Sequence, residues 1–327
     1  MKRKKILKAI GIIVSVIILA VAGMLIYIKF ALPNVGAAPD LKVDVTSERI
    51  KRGEYLANHI TVCMDCHSTR NFSLFSGPLT AGTLGQGGEV FDQSFGFPGK
   101  YISKNITPYH LKDWTDGEIY RTITTGVNKD NKALFPIMPW EGYGKMDPED
   151  IKDIIAYVRS LAPIAKENEA SSSDFPINFI INTMPHKAEP GTRPAKTDPV
   201  AYGGYLVNAA GCAECHSERS KGKLIGELFA GGFQFHFPDG AVVRSANISP
   251  DMETGIGKWS EAAFVSRFRS YTDSSFKPTK VAPGQMQTVM PWTMYGGMDT
   301  TDLKAIYAYL RTVKPQSRTI VKWTPKG

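Results

Sequence analysis

The sequence predicts a mainly α-helical protein in which two tandem domains of similar sequence follow one N-terminal transmembrane helix. Three observations carry this prediction. An uncharged segment lies close to the N-terminus, several sequence motifs occur twice in the same order, and helix-capping signals recur at matching places in the two copies.

The N-terminal segment has the length and composition of a membrane span. Residues 9–28 carry no charge, and at about 1.5 Å per helical residue they cross a hydrocarbon core of ~30 Å. Five basic residues precede them, which by the positive-inside rule keeps the N-terminus cytoplasmic and places the rest on the periplasmic or extracytoplasmic side. A cleavable signal peptide is the alternative, because Ala20-Val21-Ala22 resembles a cleavage site. The apolar run continues past that site, so we predict that residues 1–30 are a single-pass anchor in the cytoplasmic membrane.

The charge of the chain gives no indication of a polyanionic partner. The formal net charge is +8, but five of the basic residues lie before the span, which leaves +3 for the remainder. The exported part is therefore nearly balanced, and no nucleic acid partner is expected.

All four cysteines lie in two Cys-x-x-Cys-His motifs, at residues 63–67 and 212–216. On a helical turn, residues i and i+3 share one face, so both thiols reach the two vinyl groups of one porphyrin. A zinc knuckle, a dithiol redox pair or a disulfide would not explain a histidine after both pairs. We predict two covalently bound haem c groups, held by Cys63, Cys66, Cys212 and Cys215, with His67 and His216 as iron ligands.

The motifs around the two haem sites repeat in order. Gly-x-Tyr-Leu precedes each site, and Asn-Ile-Thr/Ser-Pro, a tryptophan, Met-Pro-Trp, Met-Asp and Ala-Tyr-Val/Leu-Arg follow it. The matches define two domains, at residues 48–162 and 199–314. Residues 163–198, which are rich in serine and proline, are expected to be a linker whose apolar part, 175–181, packs across a domain surface. Residues 315–327 form a C-terminal tail.

Each domain is expected to be mainly helical. Asp147 and Asp299 are predicted to cap the last helix of each copy, and Thr115 with Glu118, or Ser260, to begin a middle helix. The first helix carries Gly53 or Gly204 near its start, where a small residue permits a close helix crossing. Glycine- and phenylalanine-rich stretches before the middle helices suggest a short hairpin or a loop over one haem edge.

The sixth iron ligand is assigned by position. Met138 and Met290 lie 71 and 74 residues after His67 and His216, and each is followed by proline, which favours an extended backbone. Matching places in both copies argue for ligation rather than core packing. Met146 and Met298 are also matched, but each precedes a helix cap and is expected to pack there. The four remaining histidines have no counterparts and are interpreted as surface or core residues.

Buried haem propionates require donors, because an unpaired buried charge is costly. The candidates are duplicated near the haem motifs: Asn105, Asn247, Trp114 and Trp259, with Arg121 and Arg267 in addition. The alternative for the two asparagines is a tight turn closed by an Asx hydrogen bond.

Together these motifs resemble the class I cytochrome c domains of the multihaem cytochrome subunits of membrane-bound alcohol, aldehyde or gluconate dehydrogenases. The resemblance covers both exported domains and implies three main helices around each haem, His/Met ligation, and electron relay to a quinone or a terminal oxidase. Those subunits usually carry three haems, whereas this chain has two attachment motifs.

The expected function is electron transfer by a dihaem c-type cytochrome, either freestanding or as a subunit of an oxidoreductase complex. Its redox partners would be a dehydrogenase subunit, a quinol-oxidising complex or a terminal oxidase, and the chain alone would not be catalytic. The alternative from another class is a dihaem peroxidase or oxidase with one open haem site, against which Met138 and Met290 argue. A cysteine-ligated thiosulfate dehydrogenase would need a fifth cysteine, which the sequence lacks.

Overall fold

The computed structural model describes residues 2–220 and 223–326 of the chain. It begins with a long helix, α1 (Lys2–Phe30), whose segment Arg3–Phe30 has the length and hydropathy of a membrane span, and whose most apolar 18-residue stretch is not buried against the rest of the protein. A membrane anchor and an uncleaved signal sequence both fit this helix.

Two units of similar element order follow α1, and we call residues 47–173 the first unit and residues 199–324 the second unit. The elements of the first unit are α2 (Ser47–Tyr55), which continues as a π-helical turn (Leu56–Ile60), then α3 (Cys63–Cys66), β1 (Val90–Phe91), β2 (Gly99–Ile102), α4 (Pro108–Leu111), α5 (Asp116–Thr125), α6 (Trp140–Tyr143), α7 (Pro148–Ser160) and β3 (Ser172–Ser173). A short helix, α8 (Ile177–Ile180), lies between the units.

The second unit follows this order with two differences: a further hairpin follows its haem motif, and neither the π-helical turn nor α4 has a counterpart among its described residues. Its elements are α9 (Pro199–Ala209), α10 (Cys212–Cys215), β4 (Arg219–Ser220), β5 (Lys223–Leu224), β6 (Gln234–His236), β7 (Val242–Arg244), α11 (Glu261–Arg269), α12 (Trp292–Tyr295), α13 (Thr300–Leu310) and β8 (Trp323–Thr324). The predicted hairpins are present, because β1 pairs antiparallel with β2, and β6 with β7. The mainly helical fold predicted from the sequence is confirmed.

The first and last helices of each unit cross at a glycine. A Cβ atom on Gly53 would overlap the carbonyl oxygen of Asp153, and one on Gly203 would overlap that of Ala305. Only glycine permits this approach of two helix backbones. The predicted crossing at Gly53 is confirmed. The predicted crossing at Gly204 is wrong, because a Cβ there would meet the ring of Tyr309 and not a helix backbone. The crossing residue is Gly203, one position earlier on the helix.

The predicted caps are largely present. Thr115 and Glu118 form a capping box at α5, and Asp147 and Ser260 accept backbone hydrogen bonds at the starts of α7 and α11. Asp299 occupies the cap position of α13 without a side-chain cap bond. Its backbone N–H instead donates to Tyr55 Oη of the first unit, 3.0 Å away.

The segments taken as a linker and a tail each add a strand to the unit before them. Ser172–Ser173 pairs antiparallel with β2, and Trp323–Thr324 with β7. The predicted linker, residues 163–198, and the predicted tail, residues 315–327, therefore each include one short strand. A strand of two residues is too short to show an alternating pattern in the sequence.

The two units exchange tyrosine contacts across their interface. Tyr55 Oη donates to Asp302 Oδ2 at 2.8 Å, and its counterpart Tyr205 Oη donates to Asp150 Oδ2 at 2.6 Å. Both aspartates are fully buried. The residues between the units supply cations to the same carboxylates, since Arg193 pairs with Asp150 and Lys196 with Asp302. Each unit therefore contributes a tyrosine hydroxyl and a buried aspartate to the interface.

Candidate haem-binding sites

Each Cys-x-x-Cys-His motif folds into a single helical turn. The residue before the turn has a left-handed backbone, with φ of 44° at Val62 and 62° at Gly211. The backbone N–H of His67 donates to the Cys63 carbonyl at 2.9 Å, and that of His216 donates to the Cys212 carbonyl at 2.8 Å. Because the turn is helical, the two cysteines of each motif lie on one face and the histidine follows directly after them.

Both histidines are held in the same tautomer. His67 Nδ1 lies 2.7 Å from the carbonyl oxygen of Lys104, and His216 Nδ1 lies 2.8 Å from that of Ala246. A carbonyl only accepts hydrogen bonds, so Nδ1 carries the hydrogen and Nε2 keeps a free lone pair. Burial lowers the pKa of both imidazoles. Each site therefore presents a neutral, oriented imidazole, which is the form that ligates iron.

The thiols also fit covalent haem attachment. All four are free of disulfides. Burial raises the pKa of Cys63 and Cys66, and raises that of Cys212 to about 12 and of Cys215 to about 11. Among the described residues, no group of three or more His, Cys, Asp or Glu side chains could hold a metal ion. Neutral thiols in pairs suit thioether formation and do not provide the donor set of a zinc–thiolate site.

Met138 and Met290 occupy the same turn in the two units. Each is partly buried against the core, and its carbonyl accepts the N–H of the tryptophan two residues later at 2.8 Å. Met146 and Met298 are instead 1% and 2% exposed and belong to the core. The expected packing role of this second pair is confirmed. Iron ligation by Met138 and Met290 stays a prediction.

A loop of the first unit clamps the Met290 turn of the second. Ser76 Oγ donates to the Met290 carbonyl at 2.6 Å and accepts the Trp292 N–H at 3.1 Å. Gln287 Oε1 accepts the Ser76 N–H at 2.8 Å, and Gln287 Nε2 donates to the carbonyls of Phe72 and Leu74. Ser76 and Gln287 are buried. We call Phe72–Gly77 the clamp loop.

No repeated sequence motif indicates the clamp loop. Ser76 and Gln287 lie 211 positions apart, and neither belongs to a motif that recurs in both copies. Arg70, just before the loop, has a counterpart in Arg219, and it forms a buried ion pair with Asp65 of the first haem motif at 3.0 Å. The only available signal was the spacing of Arg70 and Arg219 after their histidines, which is the same in both copies.

Asn105 and Asn247 both close Asx turns. Asn105 Oδ1 accepts the Thr107 N–H at 2.9 Å, and Asn247 Oδ1 accepts the Ser249 N–H at 2.9 Å. Asn105 Nδ2 donates to the carbonyls of Ile164 and Lys166, and Asn247 Nδ2 to Thr254 and to the carbonyl of Gln316. Both hydrogens of each amide are donated within the fold. The alternative of a structural turn is therefore what the geometry favours, and a propionate contact from either amide has no hydrogen left to use.

The other propionate candidates differ between the units. Trp114 is partly buried, whereas Trp259 is 38% exposed. Each gives its carbonyl to the last helix of its unit, to Arg159 and Tyr307 respectively. Arg121 is buried and donates to the carbonyl of Asn128, while Arg267 lies over the rings of Tyr271 and Trp292. Their contacts to a haem stay predictions.

The interface between the units includes residues just before each attachment turn. His59, four positions before Cys63, lies with Nδ1 2.8 Å from the Met294 carbonyl of the second unit. Asn208, four positions before Cys212, donates from Nδ2 to the Gly142 carbonyl of the first unit at 2.8 Å. Tyr143 and Tyr295 are matched residues whose hydroxyls donate to the carbonyls of Thr61 and Ala210 just before each motif. The interface between the units therefore lies close in sequence to both cysteine-bearing turns.

Comparison with known proteins supports haem binding at the second Cys-x-x-Cys-His motif. Residues 200–314 match the cytochrome c family. Proteins of this kind carry covalent haem c and transfer electrons. The match covers one of the two units, and the first unit is related to it here by the shared motifs and element order.

Relatives of the whole chain include cytochrome subunits. The cytochrome c subunit of quinone alcohol dehydrogenase from Gluconobacter oxydans is 26% identical over 83% of this chain and 56% of its own length. The gluconate 2-dehydrogenase cytochrome c subunit of Pantoea cypripedii is 28% identical, over 83% and 61%. A dihaem c-type cytochrome of Cereibacter sphaeroides is 26% identical, over 84% and 89%. The chain thus spans less than two thirds of the two dehydrogenase subunits and resembles both kinds of protein.

Proposed function

We propose that this chain is a membrane-anchored dihaem c-type cytochrome with two tandem class I cytochrome c domains. It transfers electrons one at a time between a dehydrogenase or quinol-oxidising complex and a respiratory acceptor. Its haem domains lie on the periplasmic or extracytoplasmic side of the cytoplasmic membrane. The proposed axial ligands are His67 with Met138, and His216 with Met290.

The observation that carries the proposal is the duplicated histidine geometry. In both units the proximal imidazole donates Nδ1–H to a backbone carbonyl and is neutral because of burial. The second of these units matches the cytochrome c family. Since the first unit places the same residue types in the same turn, the same cofactor suits it. The dehydrogenase subunits and the dihaem cytochrome among the relatives support a role in electron relay.

A covalently bound haem c supplies reversible one-electron reduction at the iron. The residues of this chain determine where that centre lies and what can reach it. His67 and His216 present a fixed lone pair, and the Met-Pro-Trp turns present a thioether that would exclude a substrate oxygen from the other face. Residues four positions before each attachment turn lie in the interface between the units, which supports electron transfer from one haem site to the other within the chain.

Membrane tethering suits such a carrier. An anchor restricts the haem units to the surface where membrane-bound donors and acceptors lie, which raises their effective concentration. Small, transient interfaces then suffice for exchange. The helix α1 has the required length and apolar composition.

The axial ligands are tested with single variants of the purified holoprotein. We expect Met138→Ala and Met290→Ala each to convert one haem to high spin and to lower its reduction potential, because the thioether ligand is lost. Met146→Ala is the control, since its buried side chain packs in the core; it costs about 2–5 kcal/mol of stability and leaves both haems low-spin. Absorption spectra and potentiometric titration give the measurements.

The same spectra separate the electron carrier from an enzyme. If the ferric wild-type protein lacked the near-red Met-to-iron band, or contained substantial high-spin haem, the open-site peroxidase or oxidase would replace the carrier. Unchanged titrations in both Met138→Ala and Met290→Ala would refute the ligand assignment. Partner identity is tested by affinity purification from detergent-solubilised membranes, where a co-purifying dehydrogenase supports the proposed pathway.

A further inference from the structure

The apolar segment 175–181 does not pack across a domain surface as the sequence suggested. Phe175 is 80% exposed, Phe179 39% and Ile180 40%. The segment contains the short helix α8 and carries no charged residue. Such a contiguous exposed apolar patch marks an interaction surface rather than ordinary protein exterior.

The position of this patch indicates what covers it. α8 and the 3-10 turn that follows it, Ile181–Thr183, lie against α1. Asn182 Nδ2 lies 3.3 Å from the carbonyl oxygen of Ile28, to which it donates. Ile28 is the last residue of the uncharged run 9–28. The patch therefore lies at the level where the proposed span ends and the lipid headgroups begin.

The chemistry of the neighbouring residues fits that level. Tyr27 and Phe30 on α1 are 59% and 77% exposed, and Phe175 and Phe179 contact each other at a ring distance of 6.2 Å. Aromatic side chains concentrate at membrane–water interfaces, where the ring enters the acyl boundary. Lys29 lies between Tyr27 and Phe30 in sequence, and a lysine at a helix end extends its charge to the headgroups.

The patch is also fastened to the first unit. Ser172–Ser173, directly before it, forms β3 on the sheet of that unit, and the Asp174 N–H donates to the Pro98 carbonyl at 3.0 Å. One short stretch of chain thus joins the sheet of the first unit to the outer end of α1. Movement of the patch relative to the bilayer would move the first haem unit as well.

We propose that residues 175–181 are a second membrane contact, seated in the headgroup and acyl boundary of the bilayer beside the outer end of α1. The proposal rests on the proposed membrane anchor. Attachment at two places on one bilayer fixes the tilt of the first unit, and hence which of its faces is open to redox partners in the same membrane.

The experiment uses the full chain with both haems attached, reconstituted into phosphatidylcholine nanodiscs. Thioether formation consumes the native thiols, so a single introduced cysteine carries an environment-sensitive fluorophore. The labelled positions are Phe179→Cys in the patch, Leu19→Cys in the span and Met252→Cys in the second unit. Met252 is a matched control, because it is an isolated apolar residue, 54% exposed, between two acidic neighbours.

The measurement is the loss of fluorescence when the acyl chains carry a nitroxide quencher, relative to unlabelled lipid. We expect loss at Leu19→Cys and Phe179→Cys, and none at Met252→Cys. Loss at Leu19→Cys with none at Phe179→Cys overturns the second contact while the anchor stands, and leaves the patch to a protein partner. No loss at Leu19→Cys overturns the anchor itself and the contact that rests on it.

Discussion

At the scale of single residues, function depends on hydrogen bonds that fix a side chain in one form. His67 and His216 each need the Nδ1 hydrogen directed at a carbonyl so that Nε2 stays free. The partners are backbone atoms of Lys104 and Ala246, each placed directly before a duplicated asparagine. The Asx turns at Asn105 and Asn247 begin directly after the carbonyls that orient the two histidines.

This arrangement gives a prediction for Asn105. Asn105→Ala removes a buried side chain that makes hydrogen bonds to Thr107, Ile164 and Lys166. We expect a loss of about 1–3 kcal/mol in the free energy of unfolding, because buried backbone groups lose their partners. The reduction potential of the first haem should stay unchanged if the asparagine is only structural. Denaturant titration and potentiometry measure the two effects separately.

The control for this variant is Asn71→Ala. Asn71 also closes an Asx turn, with the Ser73 N–H at 3.1 Å, but it is exposed. We expect only a small change in the free energy of unfolding of Asn71→Ala. A shifted potential in Asn105→Ala, with none in Asn71→Ala, would favour the propionate contact over the turn.

At the scale of elements, the two methionine turns differ in what supports them. Ser76 of the first unit bonds to the Met290 turn, and among the hydrogen bonds of the described residues the Met138 turn has no counterpart of this contact. The clamp loop begins five residues after His67. The first haem motif and the second methionine turn are thus joined by a short, buried path.

We therefore predict that Ser76→Ala affects the second haem more than the first. The variant removes the Ser76 hydroxyl from the Met290 carbonyl and the Trp292 N–H, which keep their hydrogen bond to each other, so each lost hydrogen bond should cost about 0.5–1.5 kcal/mol. The thioether of Met290 should then dissociate more readily, and a rise in the high-spin fraction of one haem, with loss of part of the near-red band, is expected. Stopped-flow imidazole binding measures the opening rate of the turn.

Ser73→Ala serves as the matched control, because Ser73 lies in the same loop and its exposed hydroxyl bonds only to Asn71 among the described contacts. Its spectra should equal those of the wild type. Equal imidazole binding by Ser76→Ala and Ser73→Ala would show that the clamp has no influence on the methionine turn.

Much of this element structure could be predicted from the sequence, for a physical reason. The haem motifs, the capping box at Thr115 and the last helices depend on local periodicity and local hydrogen bonds. The clamp loop and the strands Ser172–Ser173 and Trp323–Thr324 depend on contacts between distant residues. The repeated Gly-x-Tyr-Leu motif does align Gly203 with Gly53, and the approach of the Ala305 backbone confirms Gly203 as the crossing residue.

At the scale of the whole molecule, the internal duplication has produced an interface as well as two units. Tyr55 and Tyr205 belong to the matched Gly-x-Tyr-Leu motifs, yet each bonds to the last helix of the other unit. A repeat search finds the motif but not its partner, because sequence similarity relates equivalent positions and the contact joins different ones. The fixed spacing of the two attachment turns depends on these crossed contacts.

The crossed tyrosines predict an alkaline loss of stability. Burial, together with the charges of Asp302 and Asp150, raises the pKa of Tyr55 and Tyr205 above the ordinary value of 10.0. A raised pKa in the folded state means that the protonated hydroxyl is stabilised by folding. This contribution is complete below pH 10 and is lost as the pH rises from there through the folded-state pKa. The free energy of unfolding should therefore fall with pH above about 10.

The double variant Tyr55→Phe/Tyr205→Phe tests this prediction. Each substitution removes a hydrogen bond to a buried carboxylate and should cost about 1.5–3 kcal/mol at neutral pH, and the alkaline slope of stability should decrease. Tyr309→Phe, a ring packed against Phe229 within the second unit, is the control for losing a tyrosine hydroxyl. Denaturant unfolding of the holoprotein between pH 7 and pH 11 gives the slopes. If the double variant kept the wild-type slope, other groups would govern the alkaline transition, and the crossed tyrosines would not be what holds the two units together.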